Sequence, residues 1–496
     1  MAALLTPDEM GRADQITIKA GTPGIVLMEN AGRAVADTVS ARHDTGASVT
    51  IIAGPGNNGG DGYVAARLLR QRGFQVRMTA FGNASAQTGD AATAAESWGG
   101  PTEQATGATV EGAEVVIDAL FGAGLGRPID GAAADLVEAI NRCGADIIAV
   151  DLPSGVNGLT GEAMGAAIRA AVTVTFFRRK PGHLLMPGRT HCGRVEVADI
   201  GIHQSTLETI KPLAHENGPD LWRWAWSPPA LDGHKYQRGH VVAVSGPMSS
   251  TGAGRLAAIS ALRAGAGLVT MASPPDALQI NCAHLTAVMV RRMNGAEGLS
   301  EILADARLNS IVLGPGLGIG AHSRDLVAAA LDGDRAVVLD ADALTSFAEA
   351  PDDLFTLIAR HPDRPVVLTP HAGEFTRLFG AAQDTSFKLQ QARDAAAAAG
   401  ATLVLKGADT IIADPDGRAA INENASAWLA TAGSGDVLAG IIAGLLAQGL
   451  PGFEAAAMGV WLHGAAGQLA GPGLISEDLP AALHQVWADL VQNPSY

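Results

Sequence analysis

Aromatic side chains are scarce in this sequence: only 4% of its 496 residues are Phe, Trp or Tyr. A core short of rings must be filled by aliphatic side chains and by backbones drawn close together, and 61 glycines permit the second. Cysteine is scarcer still, and Cys143, Cys192 and Cys282 lie far apart with no metal-like spacing. That excludes a disulfide framework and points to a reducing compartment. Net positive charge is absent as well, since 34 Lys and Arg face 50 Asp and Glu, leaving −16. A protein that coats nucleic acid would carry a basic stripe, so no nucleic-acid partner is expected. An anionic small ligand stays open, because backbone N–H groups bind phosphate without net positive charge.

Long hydrophobic runs are missing too. The most apolar stretch, from Val437 to Leu450, is too short to cross a bilayer. The uncharged run after Glu454 is interrupted by His463, Gln468 and Gly471-Pro472-Gly473, and reads as buried soluble helix. At the start, the apolar run Met1 to Leu5 is shorter than a secretory signal. It gives way to Thr6-Pro7-Asp8-Glu9, a helix start with Thr6 as N-cap, Pro7 in the first turn and Glu9 closing a capping box. No membrane contact and a cytoplasmic location are expected.

What is present is globular and large: 47% hydrophobic and 17% charged residues, over a length that exceeds one core. After helices from Pro7 and Pro23, apolar strands are expected at 49–53, 76–80, 114–118, 146–150 and 172–176. Helices at 63–72, 85–98 and 132–142 separate them. Continuous apolar strands alternating with helices predict a parallel sheet covered on both faces. The same alphabet restarts with strands at 240–245, 269–272, 310–313, 336–339, 366–369 and 402–406, and closes with helices at 436–448, 454–470 and 478–491. Between them the pattern breaks down around Pro219, Pro228 and Pro229, with Trp222, Trp224 and Trp226 close together. The expected organisation is therefore α/β with two doubly wound domains. The first is a Rossmann-like three-layer domain over 1–213, followed by a linker at 214–232 that docks through its tryptophans, and a second domain over 233–496.

Ligands in such sheets bind beyond the carboxyl ends of the strands. The first strand runs into GPGNNGGDG, Gly54 to Gly62. By composition, NGGDG should arise by chance only ~0.002 times in a chain of this length. Gly54, Gly56, Gly59 and Gly60 are expected to take positive φ and turn N–H groups toward an anion, a larger task than capping a helix at Asp61. Asp118 closes another strand before FGAGLGRP (Phe121 to Pro128), where three glycines and Arg127 suit a phosphate, and Asp151 closes the next in VDLPSGVNG. Asn58, Asp118 and Ser154 offer hard oxygen ligands to a cation.

In the second half TAGSGDVLAG (Thr431 to Gly440) opens an apolar helix whose first N–H groups would hold an anion beside Asp436 as general base. A bare GxGD arises by chance ~0.5 times per chain, so its place before Val437, Leu438, Ile441 and Ile442 is what gives it weight. LGPGLG, LTPHAGEF and VLKGADT occupy the other strand ends, with His371 either structural or at the site.

In the order and number of these motifs the chain resembles the bifunctional NAD(P)H-hydrate repair enzymes, an epimerase fused to an ADP-dependent dehydratase. MENAG (Met28 to Gly32), GPGNNGGDG, DALFGAGLGRP and DLPSGVNG match the epimerase. GPGLG, TPHAGE, KGADT and GSGDVLAG match the dehydratase branch of the ribokinase-like fold, with His234-Lys235-Tyr236 standing where the family has HKG. The resemblance implies that the hydrated dinucleotide meets Asn57, Asn58, Gly59, Gly60, Asp61, Gly122, Ala123, Gly124, Leu125, Gly126, Arg127, Pro128 and Asp151. It implies potassium at Asn58, Asp118 and Ser154, and Asp151 as the acid/base of epimerisation. In the second domain it implies Ala253, Gly316, His371 and Asp436 on the hydrate, and Lys406, Gly407, Ala408, Asp409, Thr410 and Gly435 on the adenine nucleotide. Magnesium would accompany ADP, and a homo-oligomer is expected. The competing reading is a ribokinase-like small-molecule kinase behind a non-catalytic nucleotide-binding module, which would not need Asp151 or its cation ligands.

Overall fold

The computed structural model describes residues 3–82, 87–380 and 387–492, and the chain divides into two compact α/β units, Ala3–Ala214 and the remainder from His215 onward. Ser85 and Ala86, expected to open a helix, lie outside the described residues; the helix there is Gly89–Trp98. Among the described residues no helix is long and apolar enough to cross a membrane.

The first unit opens on the capping box its sequence encodes. Glu9 N–H donates to Thr6 Oγ1 at 3.2 Å while Thr6 N–H donates to Glu9 Oε2 at 2.8 Å, starting helix Pro7–Lys19. Helix Gly24–Arg42 follows. The strands then lie in the order Glu103–Gln104, Gln75–Ala80, Ser48–Ala53, Val115–Ala119, Asp146–Val150, Val172–Phe176 and Arg194–Ala198, and every neighbouring pair is parallel. The chain enters at Ser48–Ala53, works outward to one edge, then returns to the other side of that first strand. Strand order therefore reverses between Ser48–Ala53 and Val115–Ala119, which is where such sheets open a binding crevice. The edge strand Arg194–Ala198 was not expected from the sequence, because it is half-exposed and alternates polar with apolar residues.

One expectation is corrected here. The helix after the first strand begins already at Asn57 and runs to Gln71, so Asn57 to Gly62 form its opening turns and Asp61 is no cap. Gly54, Gly56, Gly59 and Gly60 do not take positive φ. They are needed for approach instead: a Cβ on Gly54 would lie 1.7 Å from the Leu120 carbonyl oxygen, and one on Gly59 2.0 Å from that of Gly54. The motif packs backbone on backbone.

In the second unit parallel strands run Met289–Arg292, Leu268–Ser273, His240–Val244, Ser310–Leu313, Ala336–Leu339, Val366–Leu368 and Thr402–Leu405. Ile411–Ala413 and Ala419–Ile421 extend the sheet antiparallel. Here too strand order reverses, between His240–Val244 and Ser310–Leu313. The antiparallel pair was not foreseen, although Asp416-Gly417 between its strands is a hairpin signal.

The stretch 214–232, expected as a linker, belongs to this unit from His215 onward. Ala214–Glu216 is a strand beside Ala419–Ile421. Asn217 Nδ2 donates to Asn422 Oδ1 at 2.9 Å and to the Ala457 carbonyl at 2.8 Å, inside the core. Trp222 is fully buried against Trp461 and Trp226 packs at a tilt against Trp487, while Trp224 stays 69% exposed. Prolines break the helical period without preventing burial, which is why composition alone suggested a tether.

Helices Thr251–Arg263 and Ser434–Ala447 carry the two glycine-rich strand ends of this unit and lie against each other. A Cβ on Gly440 would meet the Ala257 carbonyl oxygen at 2.2 Å, and one on Gly444 that of Ala261 at 2.5 Å. Gly440→Ala should therefore separate the helices and cost about 1–3 kcal/mol. Urea unfolding checks this: the midpoint should fall with the slope unchanged, and an unmoved midpoint would show that the contact has slack.

Candidate active sites

The first site is a cleft of about 650 Å³ at the strand-order reversal of the first unit. Asp151 follows strand Asp146–Val150 in the left-handed region, at φ 65°, a conformation that costs a non-glycine residue energy and must be held by its surroundings. The hold is visible. Lys180 Nζ donates to Asp151 Oδ1 at 2.5 Å and to Thr175 Oγ1 at 2.9 Å, and Thr175 Oγ1 donates to Asp151 Oδ1 at 3.0 Å. Ala123 N–H donates to Asp151 Oδ2 at 3.2 Å.

His183 fixes the backbone below. Its Nδ1 accepts from Lys180 N–H at 2.9 Å, so Nε2 carries the proton and donates to the Asp151 carbonyl at 2.8 Å. Burial, then the neighbouring Lys180 charge, lowers His183 to about 4, and the ring is neutral. For Asp151 burial works against ionisation, but the Lys180 ammonium and its hydrogen bond outweigh it and hold the carboxyl below its usual range.

Two other carboxyls behave oppositely. Burial, aided by the charges of Asp151 and Asp14 and opposed by Lys180, pushes Asp61 well above the ordinary value. Burial, opposed by Lys180 and aided by Asp151, raises Asp14 to about 6. The cleft thus sets an ionised carboxylate beside two carboxyls that hold their protons more tightly than usual.

Of the residues singled out by sequence, Asn57, Asn58, Asp61, Gly122, Ala123, Gly124, Leu125, Gly126, Arg127 and Asp151 line the cleft. Pro128 does not, and Gly59 and Gly60 face inward against Gly54 and Met28. Asp118 and Ser154 are fully buried. Asp118 accepts from Ser154 N–H at 2.7 Å, from Ser154 Oγ at 2.6 Å and from Leu120 N–H at 3.2 Å, and Ser154 Oγ in turn accepts from Phe121 N–H at 2.8 Å. This lock ties the turn after one strand to the turn after the next. Burial raises Asp118 to about 6 even against those hydrogen bonds. Asn58 and Asp151 converge on Gly122, where a Cβ would lie 2.8 Å from Asn58 Oδ1 and 3.3 Å from Asp151 Oδ2. Asn58 Nδ2 is buried without a hydrogen-bond partner.

In the second unit helix Ser434–Ala447 starts from Gly433 at φ 86°, a left-handed cap that suits glycine. Asp436 lies in its first turn. Burial and the Asp340 charge raise its carboxyl to about 7 against the pull of Lys406. Lys406 Nζ donates to the buried Asp340 at 2.7 Å and lies 3.9 Å from Glu374. Burial opposes its charge, yet Asp340 and Glu374 keep its pKa above the ordinary value. Gly435 belongs to the same cluster, since a Cβ there would sit 3.3 Å from Lys406 Nζ. Ala253 and Gly316 meet across the other strand-order reversal, with a Cβ on Gly316 3.6 Å from that of Ala253.

The Gly407–Thr410 turn is closed on itself: Thr410 Oγ1 accepts from Gly407 N–H at 3.1 Å and donates to the Gly407 carbonyl at 2.8 Å, and Lys388 pairs with Asp409. His371 caps helix Ala372–Phe379, its Nδ1 accepting from Gly373 N–H at 2.9 Å, while the ring stays exposed.

Sequence reasoning passed over Asp14, Thr175, Lys180 and His183 in the first site and Asp340 and Glu374 in the second. Asp340 had a signal, as it closes strand Ala336–Leu339 just as Asp151 closes its own. Lys180 had a weaker one, a lysine after two arginines beyond a strand end.

Comparison with known proteins agrees across both units. A family described as NAD(P)H-hydrate dehydratase matches residues 241–483, and one described as YjeF-related protein N-terminus matches residues 24–182. A relative from Moorella thermoacetica, named bifunctional NAD(P)H-hydrate repair enzyme Nnr, is 40% identical over 94% of this chain and 92% of its own. One of the same name from Coxiella burnetii is 33% identical over 97% and 98%. Among solved structures, an ADP/ATP-dependent NAD(P)H-hydrate dehydratase from Bacillus subtilis, co-crystallized with ATP/Mg2+, is 28% identical with a TM-score of 0.46, covering 55% of this chain and 97% of that one.

The Lys180–Asp151 pair sits almost out of solvent, with Lys180 1% and Asp151 16% exposed. Removing one partner of a buried pair leaves the other uncompensated, at about 3–5 kcal/mol. Lys180→Met should lower the urea midpoint of the first unit accordingly, and adding Asp151→Asn should recover much of the loss. A double variant no more stable than Lys180→Met would mean that the lysine acts through packing and not through charge.

Proposed function

The chain belongs to the bifunctional NAD(P)H-hydrate repair enzymes, and from that membership we propose how its residues divide the two reactions. Residues 1–213 carry the epimerase, which interconverts the R and S hydrates at C6 of the nicotinamide ring. Residues 233–496 carry the ADP-dependent dehydratase of the S form, with 214–232 between them in sequence. The observation that supports the first assignment is Asp151: a carboxylate held ionised by Lys180, strained into place, and open on one side to the cleft. We assign it the proton of the C6 hydroxyl. Asn57, Asn58, Asp61 and the Gly122–Arg127 loop would enclose the dinucleotide, with backbone N–H groups and Arg127 on its phosphates.

Potassium fits the donor set of Asn58, Asp118 and Ser154. The buried end of the Asn58 amide lacks a partner, and a half turn of the amide brings its oxygen there in place of the nitrogen. One carboxylate with two neutral oxygens is too little charge for a calcium cage. Bound there, potassium would supply positive charge to an anionic substrate and steady the Leu120–Gly122 turn. The midpoint of thermal unfolding should rise with potassium and stay unmoved with lithium at equal ionic strength. An equal response to both salts would leave the trio as a structural lock.

In the dehydratase Asp436 takes the proton of the substrate hydroxyl. The hydroxyl accepts a phosphoryl group from ADP, which leaves as AMP, and the phosphate then departs from C6 with a proton lost from C5. Gly435 and the helix N-terminus would steady the transferring phosphoryl, with Lys406 beside them. Among the described residues no group of three or more His, Cys, Asp and Glu could hold a metal ion. Magnesium does not require one, because it is usually held by substrate phosphates with one or two carboxylates. Three free cysteines support a reducing, cytoplasmic location.

Raising Asp436 to about 7 places its proton loss near neutrality, so dehydration should climb through about pH 7 as the base is freed. Asp436→Asn should lower ADP-dependent recovery of 340-nm absorbance by roughly 10²-fold or more, with ADP affinity within a few-fold by calorimetry. Loss of ADP binding would make Asp436 structural, and unchanged dehydration would send the proton elsewhere.

A further inference from the structure

We propose that Asp14 is the second proton-transfer residue of the epimerase, exchanging the proton at the ring nitrogen while Asp151 serves the C6 hydroxyl. The proposal rests on the epimerase reading above and deepens it. Asp14 projects from helix Pro7–Lys19, an element separate from the strand ends, and lines the same cleft as Asp61, Asp151 and Lys180.

The chemistry asks for two groups. C6 of the hydrate bears a hydroxyl and the ring nitrogen, the nitrogen analogue of a sugar hemiacetal, and such a carbon inverts by opening. A base takes the hydroxyl proton and the C–O bond becomes a carbonyl. The C6–N1 bond breaks, its electron pair goes to N1, and N1 takes a proton. Rotation about C5–C6 presents the other carbonyl face, and the same steps in reverse close the ring. One proton is accepted and one donated in each direction, with no co-reactant. Asp151 covers half of this: bound by Lys180, Thr175 and the Ala123 N–H, it is a carboxylate with no proton to give.

Two carboxyls in the cleft could give one. Asp61 is buried and its carboxyl is pushed well above the ordinary value, which favours the neutral, hydrogen-bond-donating form. Asp14 is half-buried and raised to about 6, so both its forms are populated near neutrality. That is the condition for a group that donates on opening and accepts on closure. The charges around it are Lys180 and Asp151 beyond the sheet, Asp61 on helix Asn57–Gln71, Asp8 on its own helix, and Asp90 and Arg127 on the cleft wall. Helix Thr206–Ile210, packed against Pro7–Lys19, adds Glu208.

The test uses the full chain and purified R hydrate, following the approach to the R/S mixture with the spontaneous rate subtracted. Wild-type epimerisation should fall above about pH 6 as Asp14 loses its proton. Asp14→Asn should remove that fall and lower kcat by about 10²-fold, with NADPH binding within threefold and dehydration of purified S hydrate unchanged. Asp14→Glu should recover at least a tenth of the wild-type rate. The proposal is overturned if Asp14→Asn keeps its rate within threefold and retains the alkaline fall. It is overturned equally if NADPH binding disappears along with the rate, since Asp14 would then only shape the cleft. Asp151→Ala, run in parallel, separates the two levels: if that variant still epimerises, the reading beneath this one fails, whatever Asp14 does.

Discussion

Contact between backbones, with no side chain in between, is the constraint on which both halves of this enzyme depend. Gly54 and Gly59 let the Asn57–Gln71 helix seat itself directly on the turn before it, and that seating brings Asn58 and Asp61 to the edge of the cleft. Gly440 and Gly444 do the same for the helix that begins beside Asp436. Interiors tolerate little slack, so each such contact constrains where the helix lies. Catalytic groups on the first turn inherit that constraint. The scarcity of aromatic residues follows from the same design, because a ring between these surfaces would move the site.

The two sites then solve one electrostatic problem in parallel. Each sets a buried lysine–aspartate pair, Lys180 with Asp151 or Lys406 with Asp340, next to a carboxyl that burial pushes upward. The pair keeps fixed charge in a poorly solvated place, and its carboxylate partner helps make the neighbouring acid reluctant to ionise. In the first site the cluster sets an ionised carboxylate beside carboxyls whose ionisation is held back. In the second it brings a single aspartate to the pH at which it can act as base. The chemistry differs while the arrangement of charges recurs.

Most strands were legible because they are runs of apolar and β-branched residues: Asp146–Val150, Val172–Phe176, Ser310–Leu313 and Ala336–Leu339 fall where the sequence places them. Arg194–Ala198 and Ile411–Ala413 were not, the first because half of it faces solvent and the second because it is only three residues long. The glycine motif was found for the right reason of rarity and explained by the wrong one, since φ cannot be read from composition whereas proximity to Leu120 is a tertiary fact. Asp151 and Asp436 could be singled out by their place at strand and helix ends. Lys180 and Asp14 could not, because nothing in their local sequence reveals that folding brings them beside Asp151.

The asparagine chain from Asn217 has a bearing on where the chain can be divided. Its amide is bound inside the second unit to Asn422 and Ala457, and Asn422 passes the contact on to Asn424 at 2.9 Å. A gene boundary drawn at residue 232, where the prolines end, would strip this unit of an edge strand and of the rings that cover Trp461 and Trp487. The seam between the compact units lies upstream, before His215, so the second unit carries its own leading segment. The residues that look like mortar belong to the second brick.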